Sequence, residues 1–405
     1  MQHTGPLTGI KVIEFTHWLS APYCGNILSD FGADVIKVES LKGDQVRSAG
    51  SDNSQHLYIA YNHGKRNISL DLKKESGREI ALDLLRDADV LIENFRPGVM
   101  EKLGLGYEEI KAINPRIIYC SISAFGNTPG YKNRPGMDPV IQGMGAVMSM
   151  TGQEENSPPI LPGIPIADNT TAFMAFGSIS SALYEREKSG KGQKVELNLI
   201  DMMVLNLTTR YGQYLATGEN PKPMGNQHSQ VFPYQAFPTK DGWIIAGAQT
   251  DESWKSFCTA IGREDLIMIE KYSTNSQRVK YREELTSLLN EVFMTNTTED
   301  WCNLFEGKNI LYGPIWGIHE LINSDLIKDH NIIVDVEHPE LGKFPLIQTP
   351  VQYSRSKVQL QPIISTLGEH SEEVLKEMGY SNNAIKNLTR DQVVKTGNTQ
   401  INLVK

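Results

Sequence analysis

Apolar, largely β-branched runs alternate with helical spacings over the first 125 residues. The runs fall at 10–15, 34–38, 68–72, 89–93 and 116–121, with helical patterns between them, so the rhythm predicts βαβ units. Residues 21–31 have helical spacing and stop at Gly32, and Ser76 with Glu79 makes an S-x-x-E capping box opening a helix that ends near Arg86. Strands linked in this way are parallel and covered on both faces. From 127 to 165 the pattern dissolves into Gly, Pro and Met, which predicts long loops over the strand ends, with Met144, Met148 and Met150 filling core gaps. A helix over 170–188, a Gly-rich turn over 189–192, a strand over 194–199 and a helix over 201–216 complete the N-terminal part of a large domain, 1–216.

The polar, turn-rich stretch 217–231 is a linker, and strand-like runs at 234–237 and 243–248 open a small α+β domain over 232–325. Its helices carry Trp254, Phe257, Leu285 and Trp301. Residues 326–405 are a return linker and a C-terminal part, with a helix and turn around 375–380, too short to fold alone and so rejoining the first lobe.

Charge and composition narrow the function. A net charge of -9 over 405 residues argues against a polyanion-binding surface, so no nucleic-acid partner is expected. Cys24, Cys120, Cys258 and Cys302 lie far apart with no CxxC, which predicts reduced thiols and a cytoplasmic protein, without disulfides or a zinc knuckle. The N-terminal residues carry no secretion signal, and the most apolar charge-free stretch, 169–184, is broken by Thr, Ser and Gly, so it predicts a buried helix and no membrane span. The nine histidines show no H-x-x-x-H or His/Cys pairing; no metal is expected, and His17, His63 and His370 are packing or hydrogen-bonding residues.

In a doubly wound sheet, ligands bind beyond the carboxyl ends of the strands. Those positions here are Thr16, His17 and Trp18; Glu39 and Ser40; Asn94, Phe95 and Arg96; and 123–126. The first turn has no G-x-G-x-x-G, so a dinucleotide cofactor is not expected, and the absence of G-x-S-x-G and of a P-loop disfavours hydrolases and nucleotidases. In ENFRPGVMEKLGLGY an amide, an aromatic and two cations emerge at one strand end, where Phe95 suits stacking on a base and Arg96 and Lys102 suit phosphates. Lys65, Arg66 and Lys73 add charge around another strand; the plainer reading makes all of these solvated surface groups. Asp168, between a proline-rich approach and a helix, is either that helix's N-cap or, held ionised by the helix N-terminus in apolar surroundings, an acyl acceptor.

Nine segments taken together resemble the class III CoA-transferases, the family of formyl-CoA and carnitine-CoA transferases. They include GIKVIEFTHWLSAPYCGNILSDFGADVIKVE, KRNISLDLK, ENFRPGVMEKLGLGYEEI, IADNT, SGKGQKVELNLID and LGEHSEEVLKEMGY, in the family's order and nearly end to end. The resemblance implies an α/β fold, with a Rossmann-like large domain of parallel sheet and flanking helices, a small α+β domain, and a homodimer of two chains interlocked as rings. It implies no tightly bound cofactor, with a coenzyme A thioester and a carboxylic acid as substrates. Asp168 falls on the family's nucleophilic aspartate, which forms a mixed anhydride and then an aspartyl-CoA thioester. The implied CoA contacts are Leu70, Asp71, Leu72, Lys73, Asn94, Phe95, Arg96 and Lys102, joined by Trp18 and Ser40. Ser40 stands where formyl enzymes place an Arg, so one phosphate contact is either missing or replaced by Lys65 or Arg66. GNQHSQVFPYQAF replaces the glycine run of the formyl enzymes, which points toward succinyl-CoA-dependent members using dicarboxylates. Two alternatives remain: a racemase-like enzyme, which needs a second acid/base where Met137 stands, and a non-catalytic CoA-ester-binding protein.

Overall fold

The computed structural model describes residues 5–48, 54–338 and 342–397. It divides into two compact units: one from the described parts of Met1–Val147, Pro162–Gly212 and His330–Lys405, the other from Met148–Leu161 and Gln213–Asp329. The last residues of the expected C-terminal part, 398–405, lie outside the described residues. Residues 148–161, which the sequence pattern leaves with the large domain, group with the second unit.

In the first unit β1 (Lys11–Phe15), β2 (Asp34–Glu39), β3 (Lys65–Leu70), β4 (Val90–Glu93), β5 (Ile118–Ser123) and β6 (Gln193–Asn198) form a parallel sheet in the order β3-β2-β1-β4-β5-β6. A short strand, Val394–Lys395, closes the β3 edge in antiparallel fashion. Side chains alternate across each strand, so β1 sends Ile13 and Phe15 to one face and Val12 to the other. The helices through residue 217 are α1 (Ser20–Asp30), α2 (Ser54–Asn62), α3 (Glu75–Arg86), α4 (Val99–Lys102), α5 (Tyr107–Ile113), α6 (Asp138–Met144), α7 (Val147–Met150), α8 (Ile166–Ser189), α9 (Leu199–Asn206) and α10 (Thr208–Thr217); all but three residues of α7 and five of α10 belong to this unit. Ile80 and Leu84 of α3 and Ile110 of α5 cover the first face; Cys24 and Leu28 of α1 with Ala175 and Ile179 of α8 cover the second. Both faces are buried, as parallel connectivity requires.

Several elements depart from the sequence pattern. Helix α3 starts at Glu75 with Lys74 as N-cap and no side-chain capping bond, so Ser76 lies inside the first turn and the expected capping box does not form. The expected helix over 201–216 is two helices, broken near Thr208, whose φ is 21°. The 127–165 stretch contains α6 and α7, and Met144 is exposed, so it fills no core gap. Strand β3 begins three residues earlier than the apolar run because Lys65, Arg66 and Asn67 are polar yet buried and paired.

The second unit holds an antiparallel three-stranded sheet, β7 (Tyr234–Pro238), β8 (Trp243–Gly247) and β9 (Leu311–Pro314). Helices Asp251–Ala260 and Thr298–Phe305 each open with a capping box, Thr250 with Ser253 and Thr297 with Asp300. Trp254, Phe257, Phe293, Trp301 and Phe305 stack into its core, and Arg278 is buried on the carbonyls of Phe232 and Tyr272 and on Asp251. Among the described residues no helix is long and apolar enough to cross a membrane.

Candidate active site

Strand order reverses about β1, where the chain runs to β2 on one side and β4 on the other. At such a switch point the loops leaving the carboxyl ends part and open a crevice. A cavity of about 640 Å³ lies there, lined by Thr16, His17 and Trp18 after β1, Glu39, Ser40 and Asp44 after β2, Asn94, Phe95 and Arg96 after β4, and 123–126 after β5. Lys132, Arg134, Met137, Asp138 and Asp168 complete the wall.

The loops are held by hydrogen bonds addressed to backbone. Asn94 clasps His17, accepting its N–H at 2.9 Å and donating to its carbonyl at 2.8 Å, which brings the His17 and Phe95 rings to 5.4 Å. Burial lowers the His17 pKa, with the Asp44 charge opposing, which favours the neutral ring. Trp18 adopts φ 63°, a left-handed backbone that costs a non-glycine residue about 1 kcal/mol or more and here turns the chain at the cavity rim.

Beneath this rim lies a dry network of charges. Lys37 Nζ sits 3.1 Å from Asp44 Oδ2 and donates to the Thr16 carbonyl at 3.0 Å. Lys65 Nζ donates to Glu14 Oε1 at 2.9 Å and to the Pro22 carbonyl at 2.7 Å; burial pulls its pKa down to about 8 against the opposing pull of Glu14. Gly25 of α1 passes directly above, where a Cβ would stand 2.0 Å from Glu14 Oε2. Burial acts to raise Glu39, yet the forked hydrogen bonds and charge of Arg47, helped by Lys37, bring it down to about 2.

Asp168 is the third residue of α8, not its N-cap. The capping oxygen comes from elsewhere: Asp138 Oδ1 accepts the N–H groups of Ala167 at 2.9 Å and Asp168 at 3.1 Å. Asp138 is buried and is held by Gln142, which hydrogen-bonds Oδ2 and donates to the Ile164 carbonyl at 3.3 Å. Burial and the Asp138 charge raise the Asp168 pKa to about 7, with a Ser20 hydrogen bond opposing. The expectation that the helix N-terminus keeps this carboxylate ionised is therefore corrected, because Asp138 already occupies the helix N–H groups and adds a like charge. The other cavity carboxylates are engaged: Glu39 by Arg47, Asp44 by Lys37, Asp138 by the helix end. Among the described residues no cation pairs with Asp168.

Of the residues singled out from the sequence, Asp168, Trp18, Ser40, Asn94, Phe95 and Arg96 line one cavity, together with Met137. Lys102 is exposed at the end of α4 and does not line it. Leu70 is buried in the core under α3, Leu72 packs against the same core, Asp71 accepts the Lys73 N–H at 3.1 Å, and Lys73 is exposed; none lines the cavity. Lys65 and Arg66 do not replace the missing Arg at Ser40. Lys65 is spent on Glu14, and Arg66 pairs with Asp34 at 2.6 Å, Glu373 at 3.1 Å and Glu377 at 2.8 Å. Sequence reasoning missed Lys132, Arg134 and Asp138. The run YKNRPGMD carries both cations just ahead of Asp138, but nothing in it has the periodicity of an element.

Residues 7–371 match the sequence profile of CoA-transferase family III. The chain is 35% identical over 399 residues to the human succinyl-CoA:glutarate CoA-transferase, covering 97% of this chain and 91% of that one. It is 34% identical over 387 residues to the succinyl-CoA:mesaconate CoA-transferase of Haloarcula hispanica, covering 93% and 97%. Among solved structures, a CaiB/BaiF family protein from Brucella suis matches with a TM-score of 0.84 at 37% identity, over 93% of this chain and 100% of that one.

Proposed function

The chain belongs to CoA-transferase family III and is a CoA-transferase, and from that premise we propose that it moves CoA from a short-chain acyl-CoA, succinyl-CoA first among candidates, to a dicarboxylic acid through Asp168. One observation carries the reading: among the described residues, Asp168 is the sole carboxylate of the switch-point cavity that neither pairs with a cation nor accepts a helix N–H. Its raised basicity makes the ionised form a better nucleophile, and partial burial spares it a full hydration shell.

The steps balance without any outside oxidant or reductant. An Asp168 oxygen adds to the donor thioester carbonyl; the C–S bond breaks, and CoA leaves as the thiolate, giving a mixed anhydride. The thiolate attacks the Asp168 carbonyl carbon, releasing the donor acid as its carboxylate and leaving an aspartyl-CoA thioester. The acceptor carboxylate repeats both moves in reverse, taking the acyl position and then the thiolate, which returns Asp168 as carboxylate. Each exchange is an acyl transfer of modest barrier. The cavity cations Arg96, Lys132 and Arg134 suit the phosphates and carboxylates these substrates bring. Met137 shares the cavity with Asp168, and a thioether neither removes nor returns a proton, which disfavours α-proton exchange.

The acceptor class is supported by the names of the relatives and by the segment GNQHSQVFPYQAF at 225–237. A dimer of two interlocked chains is part of the proposal, supported by apolar side chains left half or more exposed on α8 and α9: Phe173, Tyr184, Val204 and Leu205. Hydroxylamine should trap Asp168 when acyl-CoA is supplied, and Asp168→Asn should lose transfer while still binding CoA esters. Near-normal turnover by that variant would sink the nucleophile assignment. Tagged and untagged subunits should exchange slowly without denaturant; a freely equilibrating monomer contradicts interlocking.

A further inference from the structure

The turn that presents Phe95 and Arg96 is fixed from two sides. Asn94 fastens it to the loop after β1. On the opposite side stands Glu93, the last residue of β4, 5% exposed. Its Oε2 accepts the backbone N–H of Phe95 at 2.9 Å, and its carboxyl takes a hydrogen bond from Ser121, its register partner on β5. The carboxyl faces a second, water-sized cavity of about 30 Å³, separate from the one holding Asp168. A buried carboxyl spanning a neighbouring strand and a loop N–H sets the loop's path, because an unmade bond there leaves a buried donor without a partner.

We propose that Glu93 is a positioning residue of the acyl-CoA site: by bridging Ser121 and the Phe95 N–H it holds Phe95 and Arg96 where CoA meets them. The inference rests on the reading of Phe95 and Arg96 as CoA contacts. Glu93 does not line the cavity that holds Asp168, so its loss weakens CoA binding and spares the transfer chemistry there.

The groups facing Glu93 set its protonation. Burial raises its pKa to about 7, the Ser121 and Phe95 hydrogen bonds pull it back, Glu101 of α4 adds to the rise and Lys194 of β6 opposes it. Tyr119, Glu196 and Arg96 border the same small cavity. The ionised form is the stronger acceptor for the Phe95 N–H, so the turn is firmest above pH 7 and loosens as pH falls through that value.

The test is calorimetric titration of the full-length protein with coenzyme A, beside steady-state kinetics. Glu93→Ala should raise the CoA Kd by about tenfold and change kcat less than about twofold. Glu93→Gln, a neutral isostere, should bind as weakly at pH 8 as the parent does at pH 6, with a flatter pH dependence; titration of the ligand's own phosphate is common to both proteins. Ser121→Ala should shift Kd in the same direction by less. An unchanged Kd in Glu93→Ala, a loss of kcat at constant Kd, or an undiminished pH dependence in Glu93→Gln overturns the inference. Should Glu93→Ala fail to fold, the Glu93→Gln comparison decides alone. Arg96→Ala separates the two levels: if it too leaves Kd unchanged, the CoA-contact reading fails; if it weakens binding while the Glu93 variants do not, only the Glu93 inference fails.

Discussion

Asp138→Asn separates the two services that Asp138 renders, capping α8 and charging the surroundings of Asp168. Asparagine is itself a good helix cap, and its amide oxygen can keep accepting from Ala167 and Asp168, so the fold should lose about 1 kcal/mol or less. The charge goes entirely. Two effects raise Asp168 from its ordinary 3.8 to about 7, burial first and Asp138 second. Removing the second should lower the inflection by about one unit or more. Below that inflection Asp168 is neutral and cannot attack, so kcat/KM for acyl-CoA should rise with pH through about 7 in the parent and at lower pH in the variant. At pH 6 the parent has about a tenth of its Asp168 ionised and the variant about half. Stability carries the same sign. A carboxyl whose pKa is raised by folding contributes fully below its unfolded value, and that contribution is lost as pH rises through about 7. Urea midpoints of variant and parent should therefore converge as pH rises from 4 to 7. An inflection that stays put or moves upward in Asp138→Asn would refute the like-charge argument, whatever happened to the absolute rate.

Three further outcomes are expected. Arg96→Ala should raise KM for acyl-CoA about tenfold, whereas Lys102→Ala, remote from the cavity, should change it less than twofold; steady-state kinetics with equal effects from both would remove the distinction. Lys65→Met should cost about 3 kcal/mol in urea denaturation, because it strips Glu14 of its nearest cation in a dry site, and a cost under 1 kcal/mol would mean that water reaches Glu14. A 2-methylacyl-CoA incubated in deuterated water should gain no α-deuterium while CoA transfer proceeds, since Met137 offers no second base; mass spectrometry showing exchange faster than transfer would end the transferase mechanism argued above.

The strand ends were legible because each is announced locally, whereas Asp168 stood open between cap and acyl acceptor until the family resemblance singled it out. A β-branched run gives the strand, and the residue after it gives the cavity wall, which is how Trp18, Ser40, Asn94, Phe95 and Arg96 come together without any structural information. What escaped depends on partners far away in sequence. Arg66 looks like an open cation until Glu373 and Glu377, some three hundred positions on, arrive beside it. Asp138 gives no sign of capping, because the helix it caps begins at Ile166 and capping patterns are read within one turn. Ser76 fails in the opposite sense: its S-x-x-E spacing is present, but the helix starts two residues too early for it.

The β3 edge has a consequence for synthesis. His370 accepts the Asn67 N–H, Ser371 accepts the Ser69 N–H, and Val394 pairs with Leu70, so the backbone of β3 is satisfied by the chain's closing stretch. A ribosome that has delivered Asp168 and the whole cavity wall has still produced a sheet whose β3 margin is bare, able to pair with another nascent chain. Premature stops between residues 330 and 366 should thus leave every cavity-lining residue in the product and yet give protein that aggregates or is degraded, with lost yield preceding any change in chemistry.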